Sequence, residues 1–291
     1  MGTYAVTGSA SGMGQATVER LRDAGHTVIG VDLRDADITA DLSTAEGRAH
    51  AAATVLDRVG GTLDGAVLAA GLGPGPGRER VLAEVNYRGA VDLLKAWRPA
   101  LAAHGSAQVV VFSSNSTTTT PLVPKSAVNA LLNDDVDKAV KTLKRLFRDN
   151  APGIMYGTTK IALSRWLRRA AVTDEWAGAG IRLNAIAPGA ILTPLLQSQL
   201  DDPEMSGSIE AFPIPLGGFG DAGKIADWVM FMLSPAADFM TGSMVFVDGG
   251  TDAYFRSDDW PRAVPLRGLR RYLRLTKEFA AKKKGAGERR G

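Results

Sequence analysis

Tyr156 and Lys160 are separated by Gly157-Thr158-Thr159, one turn of an α-helix, so on a helix both side chains leave the same face. A phenol beside an ammonium is a candidate proton-transfer group. An unperturbed tyrosine titrates near 10, and bringing it to neutral pH takes about 3 units, or roughly 4 kcal/mol of preferential phenolate stabilisation. A neighbouring positive charge supplies part of that. The same spacing also occurs as an ordinary surface pair, so the two residues alone leave both readings open. Upstream, Ser113-Ser114 closes the apolar run QVVVFS. A hydroxyl there either caps a turn or donates to a substrate oxygen as charge develops on it, the second being the chemistry read for Ser114.

A second chemical signal lies at the other end of the chain. Gly8, Ser11, Gly12, Met13 and Gly14 fall in TGSASGMG, directly after a short apolar run and before helix-forming residues. Small residues let the backbone approach a pyrophosphate, and the first N–H groups of a helix bind its charge. Glycine triplets also make plain tight turns. Here the next apolar run ends at Asp32, about 20 residues past the loop, as a dinucleotide fold requires. A carboxylate there accepts hydrogen bonds from ribose hydroxyls and repels a 2′-phosphate, which favours NAD over NADP. Arg34 works against that preference, and the alternative reading of Asp32 is a surface turn residue. The positive ring of NAD⁺ would add to Lys160 in stabilising a Tyr156 phenolate.

Positioning these groups takes alternating strands and helices. Tyr4–Thr7, Thr27–Asp32, Gly65–Ala69, Gln108–Ser113, Ile181–Ile186 and Met244–Val247 read as strands. Gln15–Ala24, Ala45–Val59, Arg80–Leu101, Gly157–Ala171 and Ala222–Leu233 read as helices. Strands apolar throughout need cover on both faces. The pattern predicts an α/β fold, a doubly wound parallel sheet of Rossmann type flanked by helices. Residues 1–255 are expected to form a single domain and 256–291 a C-terminal extension.

The 291 residues include no cysteine, which excludes disulfides, thiolate metal sites and a cysteine nucleophile. The three histidines, His26, His50 and His104, are isolated, so no metal site is expected. The opening MGTYAVTGSASG lacks a leader-like apolar run, and no stretch approaches the ~20 apolar residues of a membrane span. A cytoplasmic protein is the expectation. The formal charge is +3, but residues 256–291 hold 12 Lys/Arg and 4 Asp/Glu. The remaining residues hold 22 Lys/Arg against 27 Asp/Glu, so the body is acidic and no nucleic-acid partner is expected.

The order of these motifs resembles the short-chain dehydrogenase/reductase family across about residues 3–255. Gly-x-x-x-Gly-x-Gly, Tyr-x-x-x-Lys, Ser113-Ser114, Asn86 in VNYRGA, and Phe246-Val247-Asp248-Gly249-Gly250 all match its pattern. The resemblance implies that Asp41 and Leu42 contact adenine. It also implies that Ala70 and Gly71 border the cofactor, and that Pro188, Gly189, Ile191 and Thr193 meet its nicotinamide end. Ala69 stands where the family has Asn. The resemblance assigns proton transfer to Tyr156 with Lys160, substrate binding to Ser114, and a water beside Lys160 to Asn86. Within the family the chain is similar to the bacterial 3α-hydroxysteroid dehydrogenase/carbonyl reductases, on ADLSTAEGR, AAGLGPG, RLNAIAPGAILTPLLQ and SPAADFMTG. That implies an NAD-dependent alcohol/ketone oxidoreductase acting on a hydrophobic alcohol or ketone such as a hydroxysteroid. It further implies a homo-oligomer, dimer or tetramer. The competing readings are a carbonyl reductase for non-steroid compounds and a non-catalytic NAD(H) sensor.

Three further segments lie around this frame. The interval 115–151 before Tyr156 is an insert, with Lys125–Arg148 read as one helix bearing Val128, Leu131, Leu132, Val136, Val140, Leu143 and Leu146 on a stripe. It is either an extra packed helix or a device that alters subunit packing. Residues 190–220 resemble a substrate lid, with Leu192, Leu195, Leu196, Met205 and Phe212 as either an apolar wall or ordinary core. The tail Val264–Lys284 puts Leu266, Leu269, Tyr272, Leu273 and Phe279 on one face and basic residues opposite. It reads as a peripheral membrane contact, a subunit contact, or a solvated tail.

Overall fold

The computed structural model of the chain describes residues 1–203, 206–259 and 263–288. It divides into two units, Met1–Tyr254 and Phe255–Gly291.

The first unit is built on seven parallel strands. These are β1 (Thr3–Thr7), β2 (Thr27–Asp32), β3 (Ile38–Thr39), β4 (Gly65–Leu68), β5 (Gln108–Phe112), β6 (Arg182–Pro188) and β9 (Met244–Val247). They lie in the order β3-β2-β1-β4-β5-β6-β9. The chain therefore winds outward in one direction from β1 and in the other from β4. The switch point between those two strands is where open α/β sheets bind ligands. In register, Thr7 lies beside Val31 and Leu68, Phe112 beside Ile186, and Pro188 beside Val247. The carboxyl ends of these six strands thus finish along one edge.

Each face of this sheet has its own apolar layer. α1 (Gly12–Asp23) and α11 (Ala222–Leu233) cover one face through Val18, Leu21, Ile225 and Val229. The other face is covered by α2 (Ala45–Val59), α4 (Ala90–His104) and α8 (Ala151–Ala170), which bury Val55, Leu93, Leu94, Trp97, Leu163 and Leu167. Removing each such side chain from water contributes about 1.5–3 kcal/mol. Two-sided burial explains why β1, β4 and β5 read as continuous apolar runs rather than alternating ones.

Two expected helices are interrupted. The helix expected over Arg80–Leu101 runs as α3 (Glu79–Ala83), a π-helical turn over Glu84–Gly89, and then α4. The turn holds Asn86, and such turns gather at functional sites. The single helix expected over Lys125–Arg148 is two: α6 (Lys125–Leu132) and α7 (Val136–Phe147). Asp134 between them is left-handed at φ 59°, and the Asp135 carboxylate accepts from Lys138 N–H at 2.9 Å to cap α7. A short helix, α5 (Ser116–Thr119), precedes them. Val128, Leu131, Val136 and Leu143 are buried, and both insert helices pack on α8. Leu146 leaves the stripe and is exposed.

The segment 190–220 is closed at its base by a two-stranded parallel ladder, β7 (Ile191–Leu192) with β8 (Gly220–Asp221). Between them stand α9 (Pro194–Leu200) and α10 (Ser206–Glu210). Thr193 caps α9 by accepting from Leu196 N–H at 3.3 Å. Met205 lies outside the described residues. α12 (Thr251–Arg256) begins in the first unit and runs past its last residue, Tyr254, and the second unit carries α13 (Leu269–Glu288).

Candidate active site

The glycine loop is shaped by close approach. Gly8 and Gly12 have φ 69° and 57°, the left-handed region that other residues enter only with strain. A Cβ on Gly8 would fall 2.7 Å from Ala70 N, and one on Gly14 would fall 2.0 Å from the Gly8 carbonyl oxygen. A Cβ on Gly12 would meet Thr193 Cγ2 at 3.2 Å, so the loop faces the start of the 190–220 segment. Ser11 is the extended N-cap of α1 and makes no side-chain cap, while Met13 and Gly14 lie in its first turn. The opening N–H groups of a twelve-residue helix are therefore presented without a side-chain partner. This fits a pyrophosphate.

Asp32 ends β2 beside this loop. Its carboxylate accepts from Ala10 N–H at 2.9 Å and from Leu33 N–H at 2.6 Å. The first bond ties the acid to the loop it serves, and both fix its orientation. Asp41 is exposed and accepts from Ser43 N–H at 2.9 Å; the Ser43 hydroxyl and amide hold its carboxyl below the usual range. Leu42 is buried, and its side chain packs against Gly89 at the end of the π turn.

The proton-transfer candidates converge where β5 ends. Ser114 is buried and accepts from Ser116 N–H at 3.1 Å, which leaves its hydroxyl proton to donate elsewhere. Tyr156 and Lys160 stand one turn apart on α8. Burial pushes the Tyr156 phenol up from its ordinary value, and a hydrogen bond with the Ser114 side chain pulls it the other way. Lys160 is buried and its Nζ donates to the Phe112 carbonyl at 2.9 Å. Its burial lowers the ammonium to about 8. The depression of Tyr156 expected from Lys160 therefore does not prevail: removal from water outweighs the hydrogen bond with Ser114.

Gly71 links this cluster to Asn86. A Cβ on Gly71 would lie 3.5 Å from Asn86 Oδ1 and 3.7 Å from Lys160 Nζ. Asn86 is buried and holds Leu72 at both ends, accepting from its N–H at 2.7 Å and donating to its carbonyl at 2.9 Å. The side chain expected to hold a water is thus engaged with the loop after β4. Ala70 N–H donates to Thr7 Oγ1 at 3.1 Å, fixing that loop to β1 as well.

On the far side, Pro188 ends β6 and its carbonyl accepts from Asn115 N–H at 2.9 Å. Gly189 approaches Asp248 closely enough that a Cβ would fall 2.7 Å from its Cα. Ile191 is buried, and Thr193 faces Gly12. Leu195 and Leu192 are exposed at 43% and 50%, so they form no core, whereas Phe212 is partly buried. Leu195 and Gln199 of α9 overlie Gly73, where a Cβ would lie 3.2 Å from Leu195 Cδ1 and 2.8 Å from Gln199 Nε2.

Several contributors were not visible in the sequence. The Phe112 carbonyl that receives Lys160 is a backbone group with no residue signature. Ser164 donates to the Lys160 carbonyl at 2.7 Å and so accepts from the Ser113 hydroxyl at 2.8 Å, bracing α8 against β5. Its position one turn after Lys160 was the available signal. Thr251 Oγ1 donates to Pro213 O at 2.8 Å and anchors the second half of the 190–220 segment. Gln199 gives no sign beyond lying in that segment.

Comparison with known proteins accords with this geometry. The NAD-dependent epimerase/dehydratase family matches residues 4–189, and the enoyl-(acyl carrier protein) reductase family matches residues 144–252. A 3-alpha-hydroxysteroid dehydrogenase/carbonyl reductase of Comamonas testosteroni is 39% identical over 256 residues, 88% of this chain and 98% of the relative. A tropinone reductase homolog of Arabidopsis thaliana is 30% identical over 263 residues, 85% of this chain and 78% of the relative. The 3-alpha-hydroxysteroid dehydrogenase of Pseudomonas sp. B-0831, solved with NADH, superposes with a TM-score of 0.82 at 41% identity. That match covers 88% of this chain and 99% of the other.

Proposed function

The chain belongs to the short-chain dehydrogenase/reductase family of nicotinamide-dependent oxidoreductases, and we propose that it interconverts secondary alcohols and ketones of hydroxysteroid type using NAD(H). The observation that carries the reading is the meeting of Ser114, Tyr156 and Lys160 at the end of β5, beside a glycine cradle shaped for a dinucleotide. The steroid class is supported by the two hydroxysteroid dehydrogenases similar over nearly their whole length. NAD over NADP is supported by the oriented Asp32 carboxylate and by the NADH held in the Pseudomonas protein.

Gly8, Ser11, Gly12, Met13 and Gly14 would hold the phosphates. Asp32 would receive the ribose hydroxyls, Asp41 and Leu42 would border the adenine, and Ala70 and Gly71 would flank the cleft. Pro188, Gly189, Ile191 and Thr193 would border the nicotinamide end. NAD⁺ held there would supply the hydride acceptor and a positive charge near Tyr156. Ser114 donates its free proton to the substrate oxygen and holds it against Tyr156. Tyr156 takes the hydroxyl proton in oxidation and returns one in reduction. Lys160, charged at neutral pH, stabilises the phenolate from the next turn. Asn86 keeps Leu72 and Gly71 against Lys160 and serves as a positioning residue. Leu192 and Leu195, exposed on the segment 190–220, supply apolar surface for a ring-shaped substrate. A homo-oligomer of two or four copies belongs to the same proposal.

The test is NADH formation by purified protein with NAD⁺ and a panel of 3α-, 3β-, 7-, 17- and 20-hydroxysteroids, beside Tyr156→Phe. Turnover of a steroid that the variant loses supports the reaction, the base and the class together. Tight NADH binding without steroid turnover moves the substrate to non-steroid alcohols.

A further inference from the structure

None of the residues named for the site lies on α13. The matches to the Comamonas and Pseudomonas dehydrogenases cover 98% and 99% of those proteins but 88% of this chain. On α13, at about 100° per residue, Leu269, Tyr272, Leu273, Leu275 and Phe279 share one arc of about 160°. All five are exposed, from 47% for Leu269 and Leu275 to 72% for Phe279. Arg270, Arg271, Arg274 and Lys277 occupy the opposite arc. The acid among them, Glu278, pairs with Arg274 at 3.6 Å. Residues 256–291 carry 12 basic against 4 acidic residues.

We propose that α13 lies in the interface of an anionic lipid bilayer, with its Leu/Tyr/Phe face buried among the acyl chains and its Arg/Lys face among the headgroups. Three observations select this occupant. Among the described residues no helix is long and apolar enough to cross a membrane, so α13 lies on the bilayer rather than through it. A nucleic acid would engage the basic face and leave five exposed apolar side chains in water. A second copy of α13 would cover the apolar face but bring two strongly basic segments together. An anionic membrane surface satisfies both faces at once.

The experiment is co-sedimentation of the full chain with vesicles of phosphatidylcholine mixed with phosphatidylglycerol, and of phosphatidylcholine alone. The expected result is partitioning onto the anionic vesicles at least about tenfold stronger than onto neutral ones, weakening as salt is raised. The double variant Leu273→Glu/Phe279→Glu, in the full chain, is expected to lose about tenfold or more of that partitioning. Arg270→Gln/Arg274→Gln is expected to weaken binding to anionic vesicles alone. Equal partitioning of the native chain onto both vesicles overturns the proposal, as does full retention by the apolar-face variant. Pelleting without lipid that the apolar variant abolishes assigns the face to a second copy instead. Retardation of duplex DNA without vesicle binding assigns the basic arc to nucleic acid. Steroid turnover by the variants is read in parallel, so loss of membrane binding is separable from failure of the proposed reaction.

Discussion

Lys160 Nζ lies 5.9 Å from the centroid of the Tyr156 ring, and it donates to the Phe112 carbonyl, 2.9 Å away. The helical spacing puts the two side chains on one face, and the sheet then buries them both. Burial acts on the pair in opposite directions, raising the phenol and lowering the ammonium to about 8. At pH 7 a group with that pKa is still protonated about ten to one. On the proposed reading, Tyr156 acts as the base when bound NAD⁺ adds positive charge beside Lys160.

Burial of Lys160 makes stability depend on pH. Below pH 8 its charge is carried in both states, and the folded state bears the full cost of burying it. Between about 8 and 10.5 the folded chain releases this proton before the unfolded one does, so stability rises with pH across that window. The gain is on the order of 3 kcal/mol. Lys160→Met is expected to lack it, so urea midpoints at pH 7 and pH 10 should converge toward the native value at the higher pH. A constant difference between the two proteins contradicts the assignment.

Tyr156→Phe removes the proton acceptor and keeps the ring. Turnover is expected to fall roughly a hundred- to ten-thousand-fold, while NADH affinity stays within a few-fold. Steady-state NADH formation and a fluorescence titration check the two halves. A variant that turns over normally sends the search for the base elsewhere.

Gly14→Ala places a methyl carbon where the Gly8 carbonyl oxygen lies only 2.0 Å away. The loop must move, and the first N–H groups of α1 lose their aim. NADH affinity is expected to fall at least about tenfold, equivalent to ~1.4 kcal/mol. Calorimetric titration reads it, and unchanged affinity would mean that the phosphates bind elsewhere.

Asp32→Asn keeps an oxygen that accepts from Ala10 N–H but removes the charge. The ratio of kcat/KM for NAD⁺ over NADP⁺ is expected to drop by about tenfold or more, through lost repulsion of the 2′-phosphate. A ratio unmoved by the change would show that Arg34, or another group, sets the preference.

Asn86→Ala breaks two hydrogen bonds to Leu72 and leaves its amide and carbonyl short of partners. A loss of about 1–3 kcal/mol is expected in chemical denaturation. Because Gly71 sits between Asn86 and Lys160, kcat should fall as well, and by more than the NADH affinity does.

The sequence by itself determined what depends on near neighbours along the chain. Apolar runs without alternation marked the buried strands β1, β4 and β5. Four-residue spacing placed Tyr156 and Lys160 on one face, and glycines at 8, 12 and 14 marked a loop that only small residues can form. These follow from backbone geometry, which acts over a few residues. The break at Asp134 was also written locally, in the Asn133-Asp134-Asp135 turn and cap residues, but the apolar stripe running through it masked the interruption. The tertiary structure decided what depends on groups far apart in sequence. Lys160 meets a carbonyl 48 residues away, and Thr251 anchors a carbonyl 38 residues back. The direction of the Tyr156 shift belongs to the same class. Spacing supplied the charge beside the phenol, but desolvation comes from all the elements that close over α8, and no local pattern encodes their sum.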